Sequence, residues 1–169
     1  MIQEADAIIL PGVGAFRDAI TNIKDLKQSI IENIDLGKPI LGICLGLQLM
    51  FTESTERGSY PGLDLFKGKI IRLPEAVKIP HIGWNSIRLI DVDNPLLEGI
   101  EDNSYFYFVH SYYASGYDSK NIIAETEYGV TFPSIIGAKH VLATQFHPEK
   151  SGSNGLKILY NFIKLIKGV

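Results

Sequence analysis

Two glycines flank a cysteine in Gly42-Ile43-Cys44-Leu45-Gly46. The apolar residues 40–43 before it are too few for a helix and read as a strand, and residues 45–51 read as a helix. A Gly-x-nucleophile-x-Gly segment between a strand and a helix is the context of a nucleophile elbow. The turn is so tight that side chains at its flanks would collide, so both flanking positions want glycine. The elbow thrusts the thiol clear of the sheet at a helix N-terminus. There the helix dipole is expected to favour the thiolate, the reactive form of cysteine. The Leu45 amide is placed to stabilise an oxyanion. Cys44 is the only cysteine among 169 residues, which excludes a disulfide scaffold. A lone cysteine is often a buried small hydrophobe, but its setting between strand and helix favours a nucleophile.

The rest of the chain fits that opening. Residues 6–10 read as a short buried strand, ended by Pro11-Gly12. Phe16, Ile20, Ile23, Leu26, Ile30 and Ile34 then recur at helical spacing, until Gly37 and Pro39 stop the helix. Strand, helix, strand, helix is the start of an α/β sheet with parallel strands. The middle changes character: residues 69–73, 85–90, 105–110, 122–128 and 141–146 read as strands separated by turns. Residues 152–169 read as a closing helix with Leu156, Leu159, Ile163 and Ile166 as its apolar stripe. No repeat or linker-like run divides residues 1–169. One domain is expected, a parallel α/β core with an added antiparallel section.

Composition narrows the function. With 46% hydrophobic residues the chain can bury a core without disulfides or a structural metal. A formal net charge of -3 gives no reason to expect a nucleic-acid partner. The first six residues lack the basic start and apolar run of a signal peptide. No apolar stretch approaches the roughly 20 residues that cross a bilayer. The expectation is a cytoplasmic protein with no membrane partner.

A cysteine nucleophile needs a base, and the base an orienting group. The histidines are His81, His110, His140 and His147. His147 follows a strand, at the edge where active-site loops of parallel sheets gather. Pro148 keeps it extended, and in an extended segment Glu149 points the same way as His147 and can fix its tautomer. Glycines in Pro11-Gly12-Val13-Gly14 would let backbone amides approach a substrate carbonyl. The same loop matches no phosphate-binding fingerprint.

Pro-Gly-Val-Gly-Ala-Phe (11–16), Gly-Ile-Cys-Leu-Gly-Leu-Gln (42–48), Pro-His-Ile-Gly-Trp-Asn (80–85), Tyr-Phe-Val-His-Ser-Tyr-Tyr (107–113) and Gln-Phe-His-Pro-Glu-Lys-Ser (145–151) occur in that order. Together they resemble the class I, or triad-type, glutamine amidotransferases, whose fold is flavodoxin-like. More narrowly, they are similar to the glutaminase subunits of imidazole glycerol phosphate synthase. The resemblance implies a glutaminase that cuts L-glutamine to glutamate and ammonia without metal or cofactor. Cys44 would attack, His147 would shuttle the proton and Glu149 would orient it. Gln48 would hold the substrate, with the backbone of His110, Ser111 and Tyr112 at its amino-acid end. Gly12, Gly14 and Leu45 would supply oxyanion amides. Trp84, Tyr107 and Lys150 would face a cyclase subunit in a heterodimer. That partner would use channelled ammonia to make imidazole glycerol phosphate and AICAR in L-histidine biosynthesis.

The family's opening strand and helix, with Asp-Tyr-Gly-x-Gly-Asn, have no counterpart in this sequence, so an open sheet edge is expected. Three rivals stand beside this reading: a similar glutaminase feeding a sugar amidotransferase for surface polysaccharide, another elbow-cysteine hydrolase such as a peptidase or γ-glutamyl hydrolase, and an inactive shortened homologue. The Gln-Phe-His-Pro-Glu segment and Gln48 argue against the second, and the intact Cys, His and Glu against the third.

Overall fold

The computed structural model describes residues 2–168, so Met1 and Val169, the ends of the sequence reading, lie outside it. Twelve strands run in chain order: β1 (Ile8–Leu10), β2 (Ile40–Ile43), β3 (Phe51–Ser54), β4 (Tyr60–Pro61), β5 (Phe66–Arg72), β6 (His81–Ser86), β7 (Arg88–Leu89), β8 (Tyr105–His110), β9 (Tyr112–Ser115), β10 (Ile122–Glu127), β11 (Thr131–Ala138) and β12 (Val141–Thr144). Among the described residues four α-helices accompany them: α1 (Phe16–Asn22), α2 (Lys27–Asp35), α3 (Leu45–Leu49) and α4 (Gly152–Lys167). None of the described helices is long and apolar enough to cross a membrane.

The main sheet has the order β1-β2-β12-β11-β10-β7. β1, β2 and β12 pair in parallel, and β11, β10 and β7 extend the sheet antiparallel. This is the α/β class expected, with its antiparallel section at one side. Every residue of β2 and β12 is buried, which is why both read as continuous apolar runs rather than alternating ones. Period-two alternation divides the core between the sheet's two faces. Leu41, Ile43, Leu142 and Ile135 join one apolar cluster; Ile40, Val141, Ala143 and Ile136 join the other. β1 is the terminal strand of the sheet, and Ile9 on it is half exposed.

The aromatic segment of β8 is a core strand on one face only. Phe106 and Phe108 are buried, and Phe106 stacks on Phe146 at 4.2 Å. β8 pairs antiparallel with β6 to form a two-stranded ribbon outside the main sheet, with Trp84 opposite Tyr107.

Several elements depart from the sequence reading. The helix expected over residues 16–34 is broken. Phe16 packs with Leu45 and Leu49, Ile30 and Ile34 pack on a different cluster with Ile8 and Leu10, and Ile20 and Ile23 between them touch both. One straight axis would have to serve both clusters. The chain instead turns through a 3-10 segment at Lys24–Leu26. Thr21, whose hydroxyl donates to the Arg17 carbonyl at 2.7 Å, favours the break. The helix after Cys44 stops at Leu49, and Phe51 opens β3 instead. The strand expected over 85–90 is two strands that break at the fully buried Ile87.

β11 escaped the sequence reading although it lies inside the sheet. Pro133 and Gly137 argue against a central strand. The proline is tolerated because β12 pairs with β11 only from Ile135 onward. In α4 the buried positions are Gly155, Ile158, Asn161 and Phe162. Leu156 and Ile163 of the expected stripe are exposed. The stripe was misplaced because Gly155 and Asn161 do not look apolar. Gly155 lets α4 abut the carbonyl of Pro148, where any Cβ would overlap it. Asn161 donates to the carbonyls of Leu96 and Glu98 at 3.0 and 2.8 Å.

This face of α4 is testable. Phe162→Ala should lower unfolding free energy by about 3–5 kcal/mol, and Leu156→Ala by about 0.5 kcal/mol or less. Denaturant midpoints in the reverse order would restore the original stripe.

Candidate active site

The ends of β1, β2 and β12 converge on one cavity of about 250 Å³. It is lined by Gly12, Val13 and Gly14 after β1, by Cys44, Leu45 and Gln48 after β2, and by His147 after β12. Val109, His110, Ser111 and Tyr112 close it from the ribbon side. Every residue expected to touch substrate therefore borders a single cavity. His110 does so with its side chain bonded inward, its Nδ1 lying 2.9 Å from the Tyr112 carbonyl.

Cys44 sits on the elbow foreseen, with φ 53° and ψ -104°, a conformation that costs a residue with a Cβ on the order of 1–3 kcal/mol. Gly46 is what permits it. A Cβ there would overlap the Leu10 carbonyl oxygen on β1. The Cys44 N–H donates to the Thr144 carbonyl of β12 at 2.8 Å. The nucleophile position is thus tied to both neighbouring parallel strands.

The thiolate expectation is not met in this state. Burial pushes the Cys44 thiol up to about 11, against the opposing pull of the Leu45 backbone N–H. α3 has five residues and all are buried, so its dipole does not outweigh desolvation. The thiol donates to the Val109 carbonyl at 3.6 Å and accepts from the Gln145 amide at 3.8 Å.

His147 and Glu149 meet as expected, with Nδ1 2.7 Å from Oε1. His147 itself is extended as foreseen, with φ -96° and ψ 97°, but the route on to Glu149 is not. Pro148–Lys150 is a 3-10 turn with Pro148 in its first position, and the turn brings the carboxylate back to the ring. Nδ1 donates to Glu149, and the buried Nε2 has no hydrogen-bond partner among the described residues. A bare imidazole nitrogen bordering the same cavity as a thiol can receive the thiol's proton.

The sequence reading missed four residues. Ser151 clamps the His147 turn: its hydroxyl donates to the His147 carbonyl at 2.6 Å and accepts from the Tyr107 N–H at 2.9 Å. The His147 N–H donates to the Tyr107 carbonyl at 2.9 Å. Gln145 accepts from the Gln48 amide at 3.4 Å and so joins Gln48 to the cysteine. Glu56 adds a carboxylate to the cavity wall, with Oε2 accepting the Phe16 N–H at 2.8 Å. His81 lies behind His110. Ser151, Gln145 and His81 stood within the quoted segments, where their presence was a signal. Glu56 stood in none.

Trp84, Tyr107 and Lys150 do not border the cavity. Trp84 and Tyr107 meet edge to face at 6.0 Å on the outer side of the ribbon, and Lys150 is exposed on the adjoining turn. Ile82, Trp84 and Tyr105 all present more than half of their surface to solvent there.

An elbow cysteine, a carboxylate-held imidazole and a glycine loop border one cavity. The chain belongs to the class-I glutamine amidotransferase family, whose profile matches residues 2–165. It is 52% identical over 161 residues to imidazole glycerol phosphate synthase subunit HisH of Methanocaldococcus jannaschii, covering 95% of this chain and 81% of that protein. It is 51% identical over 168 residues to the subunit of the same name from Caldanaerobacter subterraneus, covering 98% and 82%. Among solved structures, PurLQS from Thermotoga maritima superposes with a TM-score of 0.69 at 16% identity, covering 94% of this chain and 79% of that one. A glutamine amidotransferase from the same organism gives 0.63 at 17% identity, covering 99% and 67%. At those identities the structures speak to the fold alone.

Burial of the thiol predicts a pH signature. Alkylation of Cys44 by iodoacetamide in the isolated chain should climb with pH toward about 11, because the thiolate is the nucleophile. A rate already level below pH 8 would contradict it.

Proposed function

We propose that this chain is the glutaminase subunit of an imidazole glycerol phosphate synthase, hydrolysing L-glutamine and passing ammonia to a cyclase subunit. The observation that carries the proposal is the shared cavity of Cys44 and a His147 whose Nδ1 is held by Glu149 and whose Nε2 is bare. The roughly 50% identity to HisH subunits supports the histidine pathway over the polysaccharide one.

The mechanism follows from the geometry. Glutamine enters with its carboxamide at Cys44 and its amino-acid end toward Ser111, Tyr112 and Glu56. A carboxylate suits the substrate's α-ammonium. Because the resting thiol is protonated, His147 Nε2 takes its proton as sulfur attacks the carboxamide carbon. The new C–S bond pushes electrons onto the oxygen. The Leu45 amide and the Gly12–Gly14 loop stabilise that oxyanion, a contribution of about 3–4 kcal/mol per donor. Protonated His147 then gives the proton to the leaving nitrogen, which departs as ammonia and leaves a γ-glutamyl thioester. Water, deprotonated by His147 Nε2, attacks the thioester. Glutamate leaves, and sulfur recovers the proton.

Ammonia that reaches bulk water becomes ammonium, which is no nucleophile. A docked acceptor subunit therefore suits the chemistry. The outer face of the β6–β8 ribbon, with Ile82, Trp84 and Tyr105 exposed beside Tyr107 and Lys150, is where that subunit would sit. Exposed aromatics at a ribbon face are the residue types that anchor interfaces.

The test is glutamine hydrolysis by the chain alone and with a cyclase subunit and its nucleotide ligand. Activity should rise sharply with the liganded cyclase and vanish in Cys44→Ser. Full turnover in Cys44→Ser, or no turnover from folded wild-type complex, would overturn the proposal. Trp84→Ala should weaken assembly by at least about tenfold while the isolated chain stays folded. An unchanged dissociation constant would move the interface elsewhere.

A further inference from the structure

Behind the cavity lies a line of polar side chains that the mechanism above does not use. His81 and His110 are 3% and 6% exposed. His81 Nδ1 is 3.0 Å from His110 Nε2. His110 Nδ1 is 2.9 Å from the Tyr112 carbonyl. His81 Nε2 is 3.3 Å from Asn85 Nδ2.

These distances fix the protons. A carbonyl only accepts, so His110 carries its hydrogen on Nδ1. A neutral His110 then offers a bare Nε2, and His81 must donate to it from Nδ1. That leaves His81 Nε2 bare, to accept from Asn85. The Asn85 amide is already oriented for this: its nitrogen also donates to the Glu127 carbonyl at 3.1 Å, and its oxygen accepts the Ser86 N–H at 2.8 Å. A second proton on either ring would set N–H against N–H at one of these contacts.

The surroundings also oppose charge. The His81 ring stacks at 3.9 Å on Tyr128 and at 4.9 Å on Phe108. His110 meets Phe132 at 5.1 Å. Burial lowers His81 to about 4 and His110 to about 3.

The line ends on the substrate side. The Tyr112 carbonyl that receives His110 also accepts from Gln48 Nε2 at 3.0 Å. The second hydrogen of that nitrogen goes to Gln145 Oε1 at 3.4 Å. With both hydrogens engaged, the Gln48 amide cannot flip without losing two bonds. Its Oε1 is left as the acceptor for a ligand in the cavity that Gln48 lines.

We infer that His81 and His110 are positioning residues, two neutral imidazoles each protonated at Nδ1, which hold the Tyr112 carbonyl and through it the Gln48 amide in its substrate-binding orientation. The inference rests on the proposed role of Gln48 as a glutamine contact. Packing alone does not call for these residues, since phenylalanine would satisfy the aromatic cluster. A donor at the place of Nδ1 gives the Tyr112 carbonyl a second hydrogen bond beside the one from Gln48, which phenylalanine could not supply.

Two measurements test this. In the chain labelled with nitrogen-15 at histidine, long-range proton–nitrogen correlation at pH 7 should report both rings as neutral Nδ1–H tautomers. An Nε2–H tautomer or an imidazolium at either ring would overturn the inference. In kinetics with the cyclase complex, His110→Asn keeps an amide nitrogen near the place of Nδ1 and should raise KM for glutamine several-fold less than His110→Phe does. His110→Phe should raise KM about tenfold or more with a smaller change in kcat, the size expected for one misoriented buried hydrogen bond. The pair His81→Asn and His81→Leu should divide the same way, and replaces the His110 pair if His110→Phe does not fold.

A lowered melting temperature with KM unchanged in the folded apolar variants would reduce the histidines to structural residues and overturn the inference. If folded wild-type complex turns over no glutamine, the proposed function falls by itself, and the tautomer spectrum decides this inference.

Discussion

Cys44 holds a backbone conformation that a residue with a side chain seldom adopts, and the surrounding sheet over-determines it. β2 is hydrogen-bonded in parallel to β1 on one side and to β12 on the other. Gly46 lies against the Leu10 carbonyl, and the Cys44 N–H is bonded to Thr144. The chain cannot relax the elbow without pulling away from a neighbouring strand. Because β12 runs directly on to Gln145 and His147, the pairing that strains the nucleophile also sets the distance to the base. The aromatic stack of Phe146 on Phe106 locks the same junction from the core side.

A buried, protonated thiol is the consequence of placing that elbow in an enclosed site. Desolvation raises the thiol, while the Leu45 N–H and the Gln145 amide act in the opposite direction. The arrangement keeps the nucleophile quiet until a substrate and a base act on it together. The His147 turn is clamped to β8 through Ser151 and Tyr107. Tyr107 faces Trp84 across the ribbon, so the base loop and the exposed aromatic face share one strand.

Much of this was legible in the sequence. The elbow, the short buried strands around it and the pairing of His147 with Glu149 follow from local patterns, because tight turns and buried parallel strands leave few choices of residue. What escaped depends on contacts distant in sequence. β11 reads as a poor strand until β12 is known to stop short of Pro133. The helix over residues 16–34 breaks at a 3-10 segment, Lys24–Leu26, that helical spacing alone does not show. The buried face of α4 hides behind a glycine pressed on Pro148 and an asparagine bonded to two carbonyls. At the site, Glu56 carries no motif, and the state of Cys44 depends on how deeply the fold buries it. Local spacing suggested a dipole-favoured thiolate; burial, a property of the whole fold, reverses that.

Acid-quenched turnover followed by mass spectrometry of the Cys44 peptide tests the account at its chemical step. The account predicts a γ-glutamyl increment on Cys44 that appears with glutamine, accumulates when His147 is replaced by alanine under conditions that still permit slow acylation, and is absent from Cys44→Ser. Turnover of glutamine with no adduct on Cys44, and with the increment found on another residue, would contradict it.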